Sequence, residues 1–338
     1  MLIRKLLAGA VLFLSAAAPC FGWNDTGHEM VAAIAWSRLD HSTKLEIARI
    51  LMSGDTVERT SPSGHEYTLS FHVKAPQGLI NDAFLEGRVR SVFIRAATWP
   101  DAIKGGKSSL FDSKVDSLND ATPEVTMASG NEKVRCKTWH YMDLPIKAAD
   151  DPSDHTPIKA NADYALKLAR ENLENLESSR DSQNQALWLY FIEHIVGDLH
   201  QPLHCCSSFV INRAKGDAGG NLFKLDQGEL HAFWDSGVNH AEKADTRIAT
   251  GTKVADVATL WLSDSADQPA AGDYEDLTPM DWISKGRDLA VANVYDGIHP
   301  GDAPSDAYVA RQSALCKKQV LLAGYRLAEI LNQDLKHG

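Results

Sequence analysis

The 338-residue chain is 44% hydrophobic and 23% charged with a formal net charge of −11, a globular composition long enough for one large core or two domains. So acidic a balance excludes a protein that coats duplex nucleic acid through a basic footprint. An anionic substrate remains admissible where bound metal cations supply local positive charge.

In chain order, residues 1–22 come first and read as a secretory signal peptide. Arg4 and Lys5 give a charged start. "LLAGAVLFLSAAA" (6–18) is an apolar segment too short to span a bilayer comfortably, and Cys20 and Gly22 stand at the −3 and −1 positions of a cut before Trp23. Pro19 argues against lipid attachment at Cys20. Cleavage leaves 316 residues beginning at Trp23, and losing Arg4 and Lys5 takes the net charge from −11 to −13. The product is expected to be secreted or periplasmic, with no membrane span and no stable protein partner implied. Four cysteines remain, Cys136, Cys205, Cys206 and Cys316. An oxidising compartment predicts one or two disulfides among them. Three connectivities are open, of which a Cys205–Cys206 bond is the most strained.

Helical periodicity dominates the mature chain. Apolar residues at three- and four-residue spacing predict helices over 28–39, from Ser42 through Met52, over 89–104 with Pro100 ending or kinking it, and over 161–176, 182–204, 253–263, 281–296 and 304–333. Residues 53–87 alternate polar and apolar around turn residues, which predicts a hairpin or an irregular insert. "AKGDAGGNLFKL" (214–225) predicts a Gly-rich turn and a short strand. With no repeat, low-complexity tract or linker, the fold class expected is all-α, mainly helical, as a single domain over 23–338.

Within the long 182–204 segment, His194 and Asp198 stand four residues apart and so share a helix face. His204 follows the turn expected at Pro202. "LHAFWDSG" (230–237) repeats the spacing with His231 and Asp235. Two His-x-x-x-Asp pairs with a further His form a metal-ligand pattern. Imidazole with carboxylate suits zinc, while iron or manganese also fit. One such pair arises by chance on any surface helix. The first pair here lies among Leu187, Leu189, Phe191, Ile192, Ile195 and Val196, where an unpartnered His or Asp is costly.

"WPDAIK" (99–104), "WHYMDLP" (139–145), "GDLHQPLH" (197–204) and "LHAFWDSG" (230–237), with Trp23 and His28 ahead of them, resemble the S1/P1 nuclease family. These are secreted, zinc-dependent, single-strand-preferring nucleases in a superfamily shared with the zinc phospholipases C. The resemblance implies a helical fold holding three zinc ions. Asp101, His140, His194 and Asp198 would hold one. Asp198 would bridge to a second, completed by His28 and by the α-amine and carbonyl of Trp23. His204, His231 and Asp235 would hold a third, more open ion. By the same resemblance, Asp101 also orients the attacking water, Lys104 lies near the phosphate, Tyr141 stacks on a base and Asp143 hydrogen-bonds it. The substrate implied is single-stranded DNA or RNA, or nucleotides, cleaved to 5′-phosphorylated products with 3′-nucleotidase activity. The stretch from His28 to Asp101 is longer than in fungal and plant members, and the extra residues fall in 53–87.

The chemistry agrees with the residue types. Clustered zinc ions neutralise an anionic phosphodiester and lower the pKa of a bound water to about 7. Stacking on an aromatic requires an unpaired base, which fits a single-strand preference. A zinc phospholipase C would use the same cluster, typically with Glu where this chain has Asp235. A metal-binding protein without turnover would instead close every coordination position. His200 reads as structural, and the sequon Asn24-Asp25-Thr26 reads as a turn.

Overall fold

The computed structural model describes residues 23–336 apart from 62, 77, 104–106, 109–123, 127–132, 160, 178–181 and 211–213. The leader and Lys104 therefore lie outside the described residues.

The chain starts with α1 (Asp25–Trp36) and α2 (His41–Leu51), followed by the strands β1 (Thr56–Thr60) and β2 (Glu66–Ser70). A short α3 (Asp82–Phe84) runs through a π-helical turn, Leu85–Val89, into α4 (Arg90–Ala96) and the four-residue α5 (Trp99–Ala102). Strands β3 (Lys107–Ser108), β4 (Glu124–Thr126) and β5 (Lys133–Arg135) precede a 3-10 turn, Cys136–His140, and β6 (Leu144–Ile146). Then come α6 (Ala162–Glu177), α7 (Ser182–Asp198), a 3-10 turn at Pro202–His204 and β7 (Cys206–Ser208). The rest is helical: α8 (Leu230–Asp235), α9 (Gly237–Ala244), α10 (Val254–Leu262), α11 (Ala271–Tyr274), α12 (Pro279–Leu289) and α13 (Asp306–Asp334).

The mainly helical class holds, with local corrections. The helix expected over 182–204 ends at Asp198, and a separate 3-10 turn at Pro202–His204 follows. The helix expected over 89–104 is interrupted at Ala97–Thr98, and Pro100 sits in the first turn of α5 rather than ending a helix. A missing N–H is harmless there, because first-turn amides have no intrahelical partner. Residues 214–230 supply turns and one isolated bridge, Lys224 to Glu229, in place of the expected strand. The 53–87 region does form a hairpin. β1 pairs antiparallel with β2 and, on its other edge, with β3. β6 and β7 pair in parallel, Leu144 opposite Cys206.

α1 and α7 lie at the centre because both are apolar nearly all round, which only a helix covered on every side can be. Every residue of α7 from Gln185 to Asp198 is buried. α6, α1, α2, α5 and α13 pack around α7, and α1 is covered by α13, α10 and α4. All eight tryptophans are buried in this core, and four of them adjoin predicted metal-site positions: Trp23 itself, Trp99, Trp139 and Trp234. Large rings that bury without much conformational freedom make rigid anchors for the short segments that carry Asp101, His140 and Asp235. Trp99 donates to Asp55, Trp234 donates to the Tyr308 hydroxyl, and Trp139 lies against Trp188 and Phe191.

The expected disulfides are absent. Cys136, Cys205, Cys206 and Cys316 are all buried, and no disulfide joins them. The thiols of Cys205, Cys206 and Cys316 point into separate packing sites. Cys205 Sγ donates to the Leu199 carbonyl at 3.4 Å and faces Gly286, Cys206 Sγ donates to the Pro202 carbonyl at 3.5 Å, and Cys316 faces Gly237. The sequon opens a helix rather than forming a separate turn, with Asp25 and Thr26 in the first turn of α1. Asn24 caps α1 by accepting from the Gly27 amide, and its Nδ2 donates to Asn239 at 2.5 Å. No helix among the described residues is long and apolar enough to cross a membrane.

Candidate metal centre

Three buried groups of ligand side chains meet where α1, α5 and α7 converge with the turns at Cys136–His140 and Pro202–His204. They are His28 with His194 and Asp198, Asp101 with His140 and His194, and His204 with His231 and Asp235. Eight of the nine predicted ligands are therefore brought together by side chain. The ninth, Trp23, is buried immediately before the Asn24 cap, and the Asn24 amide donates to the Asp235 carbonyl at 3.2 Å.

Asp198 sits at the middle. Its Oδ2 lies 3.0 Å from His140 Nδ1 and 3.1 Å from His194 Nε2, while its Oδ1 lies 3.4 Å from His28 Nε2 and 3.7 Å from His204 Nδ1. Asp101 Oδ1 completes the group with His140 and His194, at 3.8 Å from His194 Nε2 and 4.0 Å from His140 Nδ1. The His28 and His194 rings stack at 3.8 Å. Gly197 allows this approach of α7 to α1, since a Cβ at 197 would come within 2.8 Å of His28 Nδ1.

Backbone carbonyls aim the ring nitrogens. His194 Nδ1 pairs with the Ala97 carbonyl at 2.8 Å, His204 Nδ1 with the His140 carbonyl at 2.6 Å, and His231 Nδ1 with the Gly219 carbonyl at 2.5 Å. A carbonyl only accepts, so each Nδ1 carries the hydrogen and each neutral ring turns an Nε2 lone pair inward. Yet His204 Nε2 and His231 Nε2 face each other at 3.2 Å, with Asp235 Oδ2 3.5 Å from His231 Nε2. Two inward lone pairs at this distance repel unless a cation lies between them. His28 makes the same case. Both of its ring nitrogens, and Asp198 Oδ1, are buried without a hydrogen-bond partner among the described residues. Such burial is costly for polar atoms and is what metal ligation relieves. The donor set of imidazoles and carboxylates fits a divalent transition metal.

The charge balance agrees. Burial lowers the His28 pKa and the nearby His194 lowers it further, keeping the ring neutral. Burial alone would raise Asp198, but the surrounding His194, His204 and His140 hold it well below the usual carboxylate range. Asp235 is pushed up to about 8, by burial first and by the charges of Asp198 and Asp101, against the pull of His231 and Gln201.

The predicted substrate residues fare unevenly. Tyr141 and Asp143 are half-buried on the segment between His140 and β6, and the Met142 amide between them donates to the His204 carbonyl at 2.8 Å. Burial, then the nearby Asp217, raises the Asp143 pKa to about 7. His200 stays out of the ligand groups. Its Nδ1 donates to the Val196 carbonyl at 2.7 Å and its Nε2 accepts from the buried Arg326 at 2.7 Å.

Sequence reasoning missed Gln201. Its Nε2 donates to Asp235 Oδ1 at 2.7 Å and its Oε1 accepts from the Leu203 amide at 2.6 Å, so one carboxamide caps the turn and orients a ligand. Its place inside "HQPLH" was the available signal. The carbonyls of Ala97 and Gly219 were also missed, because main-chain acceptors leave no mark on composition.

Fold and site together define a helical protein built to gather buried metal ligands, of the kind that hydrolyses phosphate esters. A sequence model of the S1/P1 nuclease family matches residues 23–336, so the chain belongs to that family of nucleic-acid hydrolases. It is similar to Endonuclease 2 of Arabidopsis thaliana, 23% identical over 96% of this chain and 94% of the relative. Nuclease S1 of Aspergillus oryzae is 23% identical over 97% of each chain, and Nuclease P1 of Penicillium citrinum is 25% identical over 70% of this chain and 90% of the relative.

Proposed function

We propose that residues 23–338 form a zinc-dependent endonuclease domain, secreted or periplasmic, that hydrolyses single-stranded DNA or RNA to 5′-phosphorylated products and removes terminal 3′-phosphates. The observation that carries the metal requirement is the His204–His231 pair, whose Nε2 lone pairs face each other at 3.2 Å while both Nδ1 hydrogens are committed to carbonyls. Three zinc ions would be held, one by Asp101, His140, His194 and Asp198, one by Asp198, His28 and the α-amine and carbonyl of Trp23, and one by His204, His231 and Asp235. When bound, zinc neutralises the phosphate and lowers the pKa of water to about 7.

The chain's own residues do the positioning. Asp101 accepts a hydrogen bond from the attacking water and so fixes its line of approach. Tyr141 stacks on an unpaired base. Asp143, with its carboxyl pushed up to about 7, both donates to and accepts from a base edge near neutral pH. Lys104 offsets phosphate charge. The family match that begins at residue 23 supports Trp23 as the first residue after signal cleavage, which would free its α-amine.

The test incubates metal-loaded mature protein with single-stranded DNA, RNA, 3′-AMP and phosphatidylcholine, with and without chelator. Cleavage of the nucleic acids and of 3′-AMP, abolished by chelator, is the expected result. Cleavage of the lipid alone makes the chain a phospholipase C instead.

A further inference from the structure

The hairpin in residues 53–87 grows from the same contacts that hold Asp101. Its ladder continues one pair below β1 and β2, where the Phe71 amide donates to the Asp55 carbonyl at 2.8 Å, so Asp55 stands opposite Phe71. Side chains alternate along a strand, and Asp55, Val57 and Arg59 therefore share one face with Phe71, Leu69 and Tyr67. The foot of this stripe packs against residues that lie near two of the ligands in the chain. Asp55 Oδ2 accepts from Trp99 Nε1 at 2.6 Å, two residues before Asp101, and the Phe71 ring lies 6.2 Å from Tyr190, one turn before His194. β3, soon after Asp101 in the chain, pairs with β1 and ties the hairpin to the other end of that segment.

The middle of the stripe, Val57 and Leu69, still packs on the core. Its end does not. Arg59 stands directly opposite Tyr67, which is 39% exposed, and Arg59 enters no ion pair among the described residues. The opposite face of the hairpin carries the exposed carboxylates Glu58 and Glu66. Charge thus marks the Arg59–Tyr67 face as the one open to an anion. An aromatic ring beside a guanidinium is the pairing that tracks a single strand, the ring stacking on a base and the cation meeting phosphate.

We propose that the Arg59–Tyr67 face of the hairpin is an accessory contact for the substrate's single strand, outside the metal groups. The proposal rests on the nuclease reading and adds to it where the strand runs. Four residues at about 3.3 Å each put the tip about 13 Å beyond Asp55. That is several nucleotides of a strand rising ~3.4 Å per stacked base. The proposal places it beyond the reach of a dinucleotide seated at the metals.

Tyr67→Ala and Arg59→Ala are compared with the parent mature enzyme on a long oligothymidylate and on a thymidine dinucleotide. KM for the long strand rises roughly tenfold in each variant, the equivalent of about 1.4 kcal/mol, while dinucleotide kinetics stay at the parent values. Tyr67→Phe, which keeps the ring, behaves as the parent. Binding of the labelled long strand in the presence of chelator, read by fluorescence anisotropy, weakens by a similar factor in the alanine variants. Unchanged long-strand kinetics and binding overturn the proposal, as does an equal loss on both substrates. A parent enzyme that cleaves neither substrate overturns the nuclease reading, and this proposal with it.

Discussion

Gln201 makes two bonds with one side chain, and two substitutions separate them. Gln201→Glu keeps an oxygen for the Leu203 amide but removes the N–H that donates to Asp235 at 2.7 Å. Gln201→Leu removes both. A hydrogen bond to a charged group contributes about 1.5–3 kcal/mol, or roughly 10- to 150-fold in a binding equilibrium. That range agrees with the roughly 10- to 100-fold loss of metal affinity usual when the residue orienting a ligand is changed. Gln201→Glu should therefore weaken metal binding at His204, His231 and Asp235 by about 10- to 100-fold, and leave the groups around Asp198 close to parent affinity. Gln201→Leu should do the same and also destabilise the metal-free protein by about 1–3 kcal/mol, because the Leu203 amide is left buried and unpaired. Zinc titration against a competing chelator reads the affinities, and urea unfolding of the metal-free chain reads the stability. Parent affinity in Gln201→Glu, or an equal loss at every site, would refute the orienting role.

Three other changes probe separate links. Gly197→Ala places a Cβ within 2.8 Å of His28 Nδ1; overpacking of this kind costs about 1–3 kcal/mol, and metal content measured by mass spectrometry should fall with stability. Glu193 is fully buried with both carboxylate oxygens unpartnered among the described residues, and burial holds its pKa well above the ordinary 4.5. In the unfolded chain it ionises from about 4.5 upward, so folding loses ~1.4 kcal/mol per pH unit above that value until the folded pKa is passed. Glu193→Met should raise the melting temperature, and by more at pH 8 than at pH 5; an equal or negative shift at pH 8 would contradict this. Adding one residue before Trp23 should abolish most nuclease activity and lower the metal content, since the added peptide bond removes the α-amine; full activity and full metal content would exclude that ligand.

The sequence made the site more legible than the scaffold that aims it. His194 and Asp198 share a helix face at i, i+4 spacing, and α7 delivers both to the centre. His231 and Asp235 do the same on α8. The long helices were legible because their apolar periodicity is strong. Pro100 misled because a proline ends one helix and opens the next equally well, and only its neighbours decide. The cysteines misled because an expected compartment says nothing about geometry, and the thiols of Cys205, Cys206 and Cys316 are packed against different glycines or carbonyls. The carbonyls that turn His194, His204 and His231 inward come from Ala97, His140 and Gly219, distant in sequence and invisible to spacing. Residues 53–87 carried the hairpin's alternation, but its register and its tie to Trp99 through Asp55 exist only in three dimensions.

The central claim is that the buried imidazole and carboxylate groups hold the metals on which hydrolysis depends. Zinc-edge anomalous diffraction from crystals of the mature protein tests it most directly. The account predicts three peaks: one among Asp101, His140, His194 and Asp198, one beside His28 and the Trp23 amine, and one among His204, His231 and Asp235. Fully active protein with no anomalous density in these groups would contradict it.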